Sequence, residues 1–243
     1  MFIAIDKDNN RVEIENADKT KEYFCPVCGE KLSIRAKESI SVKTHFAHKR
    51  NSQCVDDWNH DMSEWHLNWQ RRFPTECREV VIEHNGTKHR ADVCIGKTII
   101  EFQHSPLSSE EFGKRNEFYT NCGYKVVWVF DAEGKIASCH PKAYGIDPNE
   151  LSFVELCWKR KNVLFLTKPS SKLEIFIQYK VEKQDIMLKL KNVSSKGFKF
   201  YRTYPNYLLI ENFLKEYGAN VDPRVRSVSV IIEQTKDIYK SIP

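Results

Sequence analysis

Residues 79–103 read EVVIEHNGTKHRADVCIGKTIIEFQ, and two turns within them set the arrangement of everything around them. Asn85-Gly86 is the strongest short hairpin signal a sequence carries, and it stands between two strand-like runs. A two-residue turn there pairs His84 with Thr87, Glu83 with Lys88 and, further along, Glu79 with Asp92. Gly96-Lys97 is a second candidate turn; it pairs Ile95 with Thr98 and brings Asp92 opposite Glu101. Three adjacent strands then carry Glu79, Asp92 and Glu101 in one row on one face. Directly opposed Cβ atoms lie roughly 4.5–5.5 Å apart, and like charges at that spacing are destabilising. A cation or a shifted pKa has to compensate, which is the chemistry of a divalent-metal site.

The flanking sequence extends this into an α+β fold. Met62, Trp65, Trp69 and Phe73 recur at helical spacing over residues 61–73, and Pro74 follows as a stop. Strands are expected over residues 78–84, 88–95 and 98–103. Ser108 opens a second helix with Glu111 three residues on, a capping box, and Gly123 ends it. Residues 124–130, YKVVWVF, form a short apolar run typical of a buried strand. The order is helix, three strands, helix, strand. An N-terminal hairpin turns at Asp8-Asn9-Asn10, and beyond residue 150 strands are expected over 153–166, 173–181 and 185–190, with a helix over 207–217. Three parts follow: 1–60 with the hairpin and a cysteine-rich segment, 61–150 as the core, and 151–243 as a β-rich extension.

Composition narrows the setting. With 243 residues the chain can bury a sizeable core. Its mean hydropathy is −0.55, no apolar run approaches the roughly 20 residues of a membrane span, and no secretory leader is visible. A cytoplasmic location is the expectation. The net charge of +5 is uneven: residues 1–60 balance, 61–150 carry −3 and 151–243 carry +8. Acids thus gather around the proposed site and bases in the last third. That suits a protein that grips a polyanion with one part and cuts it with another, and equally a solvated lysine-rich surface. The basic stretch includes Lys159-Arg160-Lys161, Lys189, Lys191, Lys196, Lys199 and Arg202, with Phe198, Phe200, Tyr201 and Tyr204 interleaved among the last of these. Such alternation fits phosphate contacts with base stacking, or ordinary strand packing.

The eight cysteines are dispersed, and only Cys25 and Cys28 are closely spaced. Cys25-Pro-Val-Cys28-Gly is a zinc-knuckle shape in which Gly29 allows a tight return. His45-Phe-Ala-His48 supplies a second pair, giving a Cys2His2 set for a structural Zn2+, with Cys54 as a competing fourth ligand in place of one histidine.

Around the acidic row, Gln103 shares the face of Glu101 and lies opposite Arg90, itself two residues from Asp92. An Asp and a Glu one strand apart can hold Mg2+ or Mn2+, which polarises a phosphate and activates water. Gln103 can orient that water, and Glu79 can complete the coordination. On the first helix His66 and Gln70 border the apolar stripe, so His66 can reach the site. On the second, Arg115 falls in the middle of the stripe, where a buried guanidinium needs an acidic partner or a substrate phosphate. His89 and His104 fall on the opposite face and are left out of the chemistry.

Taken in order, Cys25-Pro-Val-Cys28, His45-Phe-Ala-His48, Trp65-His66, Ala91-Asp92-Val93 and Glu101-Phe-Gln103-His104-Ser105 resemble competence protein CoiA-like proteins. That resemblance implies a zinc-knuckle N-terminus joined to a nuclease-like domain of the PD-(D/E)XK, restriction-endonuclease superfamily, with an αβββαβ core. It implies that Asp92, Glu101 and Gln103 correspond to the catalytic D…(D/E)-x-K, with Gln103 standing where lysine is usual. Glutamine carries no positive charge and can only orient water or substrate by hydrogen bonding. The expectation is therefore a Mg2+-dependent nuclease acting on DNA, in uptake, recombination or defence. Asp92 and Glu101 hold the metal, and Glu79, Gln103 and His66 assist. Arg115 and Arg90 meet the substrate. Protein partners in DNA processing are compatible with this. The alternatives are a catalytically silent nuclease-like DNA-binding module and a zinc-dependent DNA-binding regulator.

Overall fold

The computed structural model describes residues 1–35, 43–56, 58, 63–142, 153–158, 170–181, 184–190, 192–194, 197–201 and 208–218. The N-terminal strands β1 (Ile3–Ile5), β2 (Arg11–Glu13), β3 (Tyr23–Phe24), β4 (Lys31–Arg35) and β5 (His45–Ala47) form a sheet in the order β2-β1-β3-β4-β5. The first hairpin is the expected one: Asn9 takes a φ of 60°, and Ile5 pairs with Arg11.

The first helix, α1 (Glu64–Gln70), occupies the central part of the expected span. Ser63 caps it by accepting the amide of His66; residues 61 and 62 lie outside the described residues. Next come β6 (Arg78–His84), β7 (Thr87–Ile95) and β8 (Thr98–Gln103). Both expected two-residue turns are present. Asn85 and Gly86 have φ of 49° and 78°, and Gly96 has a φ of 54°, conformations that glycine and asparagine adopt most cheaply. His84 therefore pairs with Thr87, and Ile95 with Thr98.

Helix α2 (Ser109–Asn121) carries the chain from β8 to the parallel strand β9 (Lys125–Asp131). Its cap is the one the sequence announces, with Ser108 Oγ accepting the Glu111 amide at 3.0 Å. The order helix, three strands, helix, strand agrees with expectation. Strand β10 (Ile136–Lys142) was not anticipated; β11 (Phe153–Trp158) opens the span expected over 153–166, the rest of which lies outside the described residues.

Three of the described strands beyond residue 150 join the sheet that holds β6–β9. Strand β12 (Leu173–Val181) runs parallel to β9 and hairpins with β13 (Gln184–Lys189). After β14 (Asn192–Ser194) and β15 (Gly197–Tyr201), the short β16 (Leu208–Leu209) joins the far side of β13 and leads into α3 (Ile210–Glu216). The result is a seven-stranded mixed sheet, β16-β13-β12-β9-β8-β7-β6, beside a four-stranded one, β10-β11-β15-β14.

Both faces of the large sheet are covered, so its central strands are apolar on both sides. Trp69 and Phe73, at and just beyond the end of α1, and Phe213 and Leu214 of α3 bury one face with Val93, Ile100, Phe102 and Val129. Phe112 and Tyr119 of α2 bury the other with Ile99, Val126 and Trp128. A third core joins the N-terminal sheet to this body: Phe2, Tyr23, Leu32 and Phe46 pack with Leu67 of α1 and against Val81 of β6. None of the described helices is long and apolar enough to cross a membrane.

Candidate functional site

Register places Asp92 opposite Glu101, but the ladder between β7 and β8 stops one step earlier, at Val93 and Ile100. There the strands part. Asp92 Oδ2 enters the gap and accepts the backbone amide of Phe102 at 2.9 Å, while the Asp92 amide faces Glu101 Oε1 at 3.4 Å. The two carboxylates converge where the backbone pairing fails. Both are buried, at 3% and 0% exposure.

Buried charge needs compensation, and here much of it comes from the chain itself. Arg115 Nη1 donates to Glu101 Oε2 at 2.9 Å, and its other arm reaches Glu111 one helical turn back. The Tyr119 hydroxyl donates to Glu101 Oε1 at 2.9 Å. Burial would lower the Arg115 pKa, but Glu101 and Glu111 hold it above the ordinary arginine value. Burial and Glu101 together raise that of Tyr119. The Arg115 guanidinium lies 5.1 Å from the ring centroid of Trp58 and 5.9 Å from that of Trp128. Trp58 also stacks on His89, with centroids 3.6 Å apart and an interplanar angle of 2°.

On the other side of the pair, His66 Nε2 lies 3.2 Å from Asp92 Oδ1, and the Gln70 amide lies 3.1 Å from the same nitrogen. Gln103 is buried and donates its amide to the carbonyl of Ser105 at 2.7 Å. The structure thus brings His66, Asp92, Glu101 and Arg115 together. Tyr119 belongs with them although its sequence reading placed it only in the apolar stripe. Its signal was available: it stands four residues after Arg115 and shares its face.

Glu79 and Arg90 are elsewhere, contrary to expectation. Glu79 has a φ of 44°, a left-handed conformation in mid-strand, and no paired partner at the Asp92 position. Its carboxylate accepts the amide of Phe2 at 2.8 and 3.0 Å and that of Ile3 at 2.8 Å. Arg90 Nε lies 3.9 Å from it. Burial would raise the Glu79 pKa, yet Arg90 and the two amides hold it below the usual carboxylate range. Glu79 is thus a strut between the N-terminal sheet and β6. The end of the β7–β8 ladder likewise removes the expected pairing of Arg90 with Gln103.

The thiol cluster also differs from the expected set. Ligand atoms of Cys25, Cys28, His48 and Cys54 all lie within 4.8 Å of one another, and Cys28 Sγ lies 3.4 Å from His48 Nε2. His45 turns away, its Nδ1 donating to the Lys43 carbonyl at 2.8 Å. The reason is periodicity. Residues three apart share a face on a helix but oppose each other along a strand, and His45 opens β5. Cys54, weighed as a competitor, takes the fourth place.

The donor set fits zinc. Tetrahedral bonds of about 2.3 Å to sulfur and 2.0–2.1 Å to nitrogen set S···N separations near 3.5 Å, close to the Cys28–His48 distance. Burial pushes the Cys54 thiol up to about 12, with Cys25 and Cys28 adding to it, and burial raises Cys25 as well. Such a cluster is costly to ionise unless a cation sits inside it. Burial lowers the His48 pKa, keeping its ring neutral as a ligand must be. Four protein ligands would leave a bound ion no open position, as in structural sites.

Comparison with known proteins agrees with both halves. A 121-residue segment is 28% identical to competence protein CoiA of Bacillus subtilis (strain 168), covering 46% of this chain and 32% of that one. The chain thus aligns with about a third of that relative's length. No solved structure matches. Residues 6–56 match the description "Competence protein CoiA, N-terminal domain" and take in all four thiol-cluster ligands. Residues 67–205 match "Competence protein CoiA, nuclease-like domain". That second match spans more than half of the chain and contains the buried carboxylate pair, so the chain belongs to the competence protein CoiA family.

Proposed function

We propose that this chain is a metal-dependent nuclease of the PD-(D/E)XK kind, cleaving phosphodiester bonds in DNA. One observation carries the reading: Asp92 and Glu101 converge where the β7–β8 ladder opens, two residues before Gln103. Two buried carboxylates from neighbouring strands are a costly arrangement for packing alone, and their hard oxygen donors suit Mg2+ or Mn2+. When bound, such an ion would polarise the phosphate and activate a water. The chain's own part is positional. Arg115 and Tyr119 fix Glu101, the Phe102 amide fixes Asp92 Oδ2, and His66 faces Asp92 Oδ1. Gln103, tied to Ser105, offers its amide oxygen to a water. The zinc knuckle braces the N-terminal sheet, and the excess of basic residues after 150 favours a polyanionic substrate. Most basic side chains of that stretch, including Lys159-Arg160-Lys161 and Arg202, lie outside the described residues.

Plasmid, linear and single-stranded DNA incubated with the full chain and Mg2+ or Mn2+ should give cleavage products. Asp92→Ala or Glu101→Ala should abolish cleavage while the DNA-binding isotherm is retained. Undiminished cutting by either variant would overturn the assignment. A second reading, a nuclease-like module that binds without cutting, is favoured by Gln103 in the lysine position and by the hold of Arg115 on Glu101. It predicts binding with no product under every metal condition.

A further inference from the structure

At the carboxyl ends of the parallel strands β8 and β9, just beyond Gln103, lies an aspartate–histidine pair that the proposed site does not use. His104 Nδ1 lies 2.5 Å from Asp131 Oδ2. Asp131 is buried, its side chain 5% exposed, and its second oxygen accepts the Glu133 amide at 2.9 Å, so the carboxylate is fixed. Lys135 Nζ ties the backbone from behind, reaching the carbonyls of His104 at 2.5 Å and Asp131 at 2.9 Å. The Trp65 ring, next to His66, lies 6.1 Å from the imidazole. Yet the His104 side chain is 43% exposed. With Nδ1 given to the Asp131 carboxylate, Nε2 is the ring nitrogen left to meet a partner. Among the described residues Nε2 takes no hydrogen bond. A histidine held by one nitrogen against a buried carboxylate, with its side chain partly in solvent, is placed to meet something.

Its position suggests what. Gln103 cannot supply the cation that a lysine would place there, and its amide nitrogen is already committed to Ser105. The adjacent residue presents an ionisable ring at the end of β8, where ligands of parallel sheets bind. Strand alternation assigned His104 to the wrong face for chemistry. It stands after the last residue of β8, however, where alternation no longer governs it.

We propose that His104, oriented by Asp131, is a substrate-contacting residue whose Nε2 hydrogen-bonds a backbone phosphate of the DNA. A phosphate oxygen only accepts, so the contact requires an N–H at Nε2 as well as at Nδ1, and a ring so bonded carries the positive charge absent at Gln103. The proposal rests on the nuclease reading of the same site, and its test does not depend on cleavage. In the Asp92→Ala full chain, DNA binding is measured against salt concentration for His104, His104→Gln and His104→Lys. Each phosphate contact contributes about 0.9 to the slope of log K against log salt. His104→Gln should lower the slope by roughly that amount, and His104→Lys should restore it. In the same background with His104 intact, saturating duplex DNA should protect His104 from diethylpyrocarbonate by about fivefold or more, read by peptide mass spectrometry against His84. An unchanged slope in His104→Gln, an unprotected His104, or no DNA binding at all overturns the proposal. If the wild-type chain yields no product while His104 is protected, the nuclease reading fails and the contact stands.

Discussion

Replacing Glu79 by alanine is the sharpest test of how the N-terminal sheet is joined to the large one. In the folded chain its carboxylate accepts three hydrogen bonds from the amides of Phe2 and Ile3 and faces Arg90, with Glu79 and Arg90 side chains 1% and 4% exposed. Alanine leaves two buried amides without acceptors and takes from the buried Arg90 guanidinium the carboxylate that acts on it most strongly. Removing one member of a buried pair typically costs about 3–5 kcal/mol. Alanine does not remove the left-handed φ of 44°, which itself costs roughly 1–2 kcal/mol in any residue but glycine. Glu79→Ala should therefore lose about 3–5 kcal/mol by urea denaturation, a fall in the melting midpoint of roughly 6–20 °C for a chain of this size. Glu79→Gly should lose about 1 kcal/mol less, since it relieves the backbone. The pH dependence has a definite sign. Because the folded-state pKa of Glu79 lies below the ordinary 4.5, its contribution is complete above that value and fades as pH falls through the folded value. Glu79→Ala should flatten that acid limb. A loss under about 1 kcal/mol, or an unchanged acid limb, would refute the strut.

Further substitutions probe the thiol cluster and the ring of Trp58. Cys54→Ser should lower bound zinc from one equivalent and increase the unfolding caused by chelators, whereas His45→Ala should leave zinc content unchanged; metal analysis of purified variants separates the two. Trp58→Ala removes a stacked ring from His89 and the cover over Arg115, and should cost about 2 kcal/mol in urea, with Trp58→Phe recovering roughly half.

How far the sequence could be read depended on the kind of rule applied. Local chemistry read well: Asn85-Gly86 and Gly96 require positive φ, and Ser108 with Glu111 announces a cap, so the turns and α2 lie where the residues placed them. Long-range apposition read less well. His45 and His48 look like a ligand pair only if their segment turns, as the Cys25–Cys28 knuckle does, and nothing local in the sequence identifies β5 as a strand. Cys54 and Trp58 approach their partners through tertiary folding, with no spacing rule to reveal them. Strand β10 carries Pro141 and only weak alternation, so it left no strand signature.

The acidic row shows where register arithmetic stops being sufficient. Two-residue turns fix which positions are aligned, and by that count Glu79, Asp92 and Glu101 fall in step across the three strands. Register does not say whether opposed residues stay bonded. Two carboxylates held roughly 4.5–5.5 Å apart across a closed ladder would repel with little between them. The strands instead separate at that step, Asp92 turns into the gap to take the Phe102 amide, and Arg115 and Tyr119 close on Glu101. At the neighbouring position Glu79 escapes the row through its left-handed backbone and finds two amides and Arg90. The repulsion that made the row conspicuous in the sequence therefore accounts for its geometry in the fold: three aligned acids resolve into one converging pair and one strut. The cation the row demanded is supplied in part by the chain. Any metal that bound there would then have to share Glu101 with Arg115 and Tyr119.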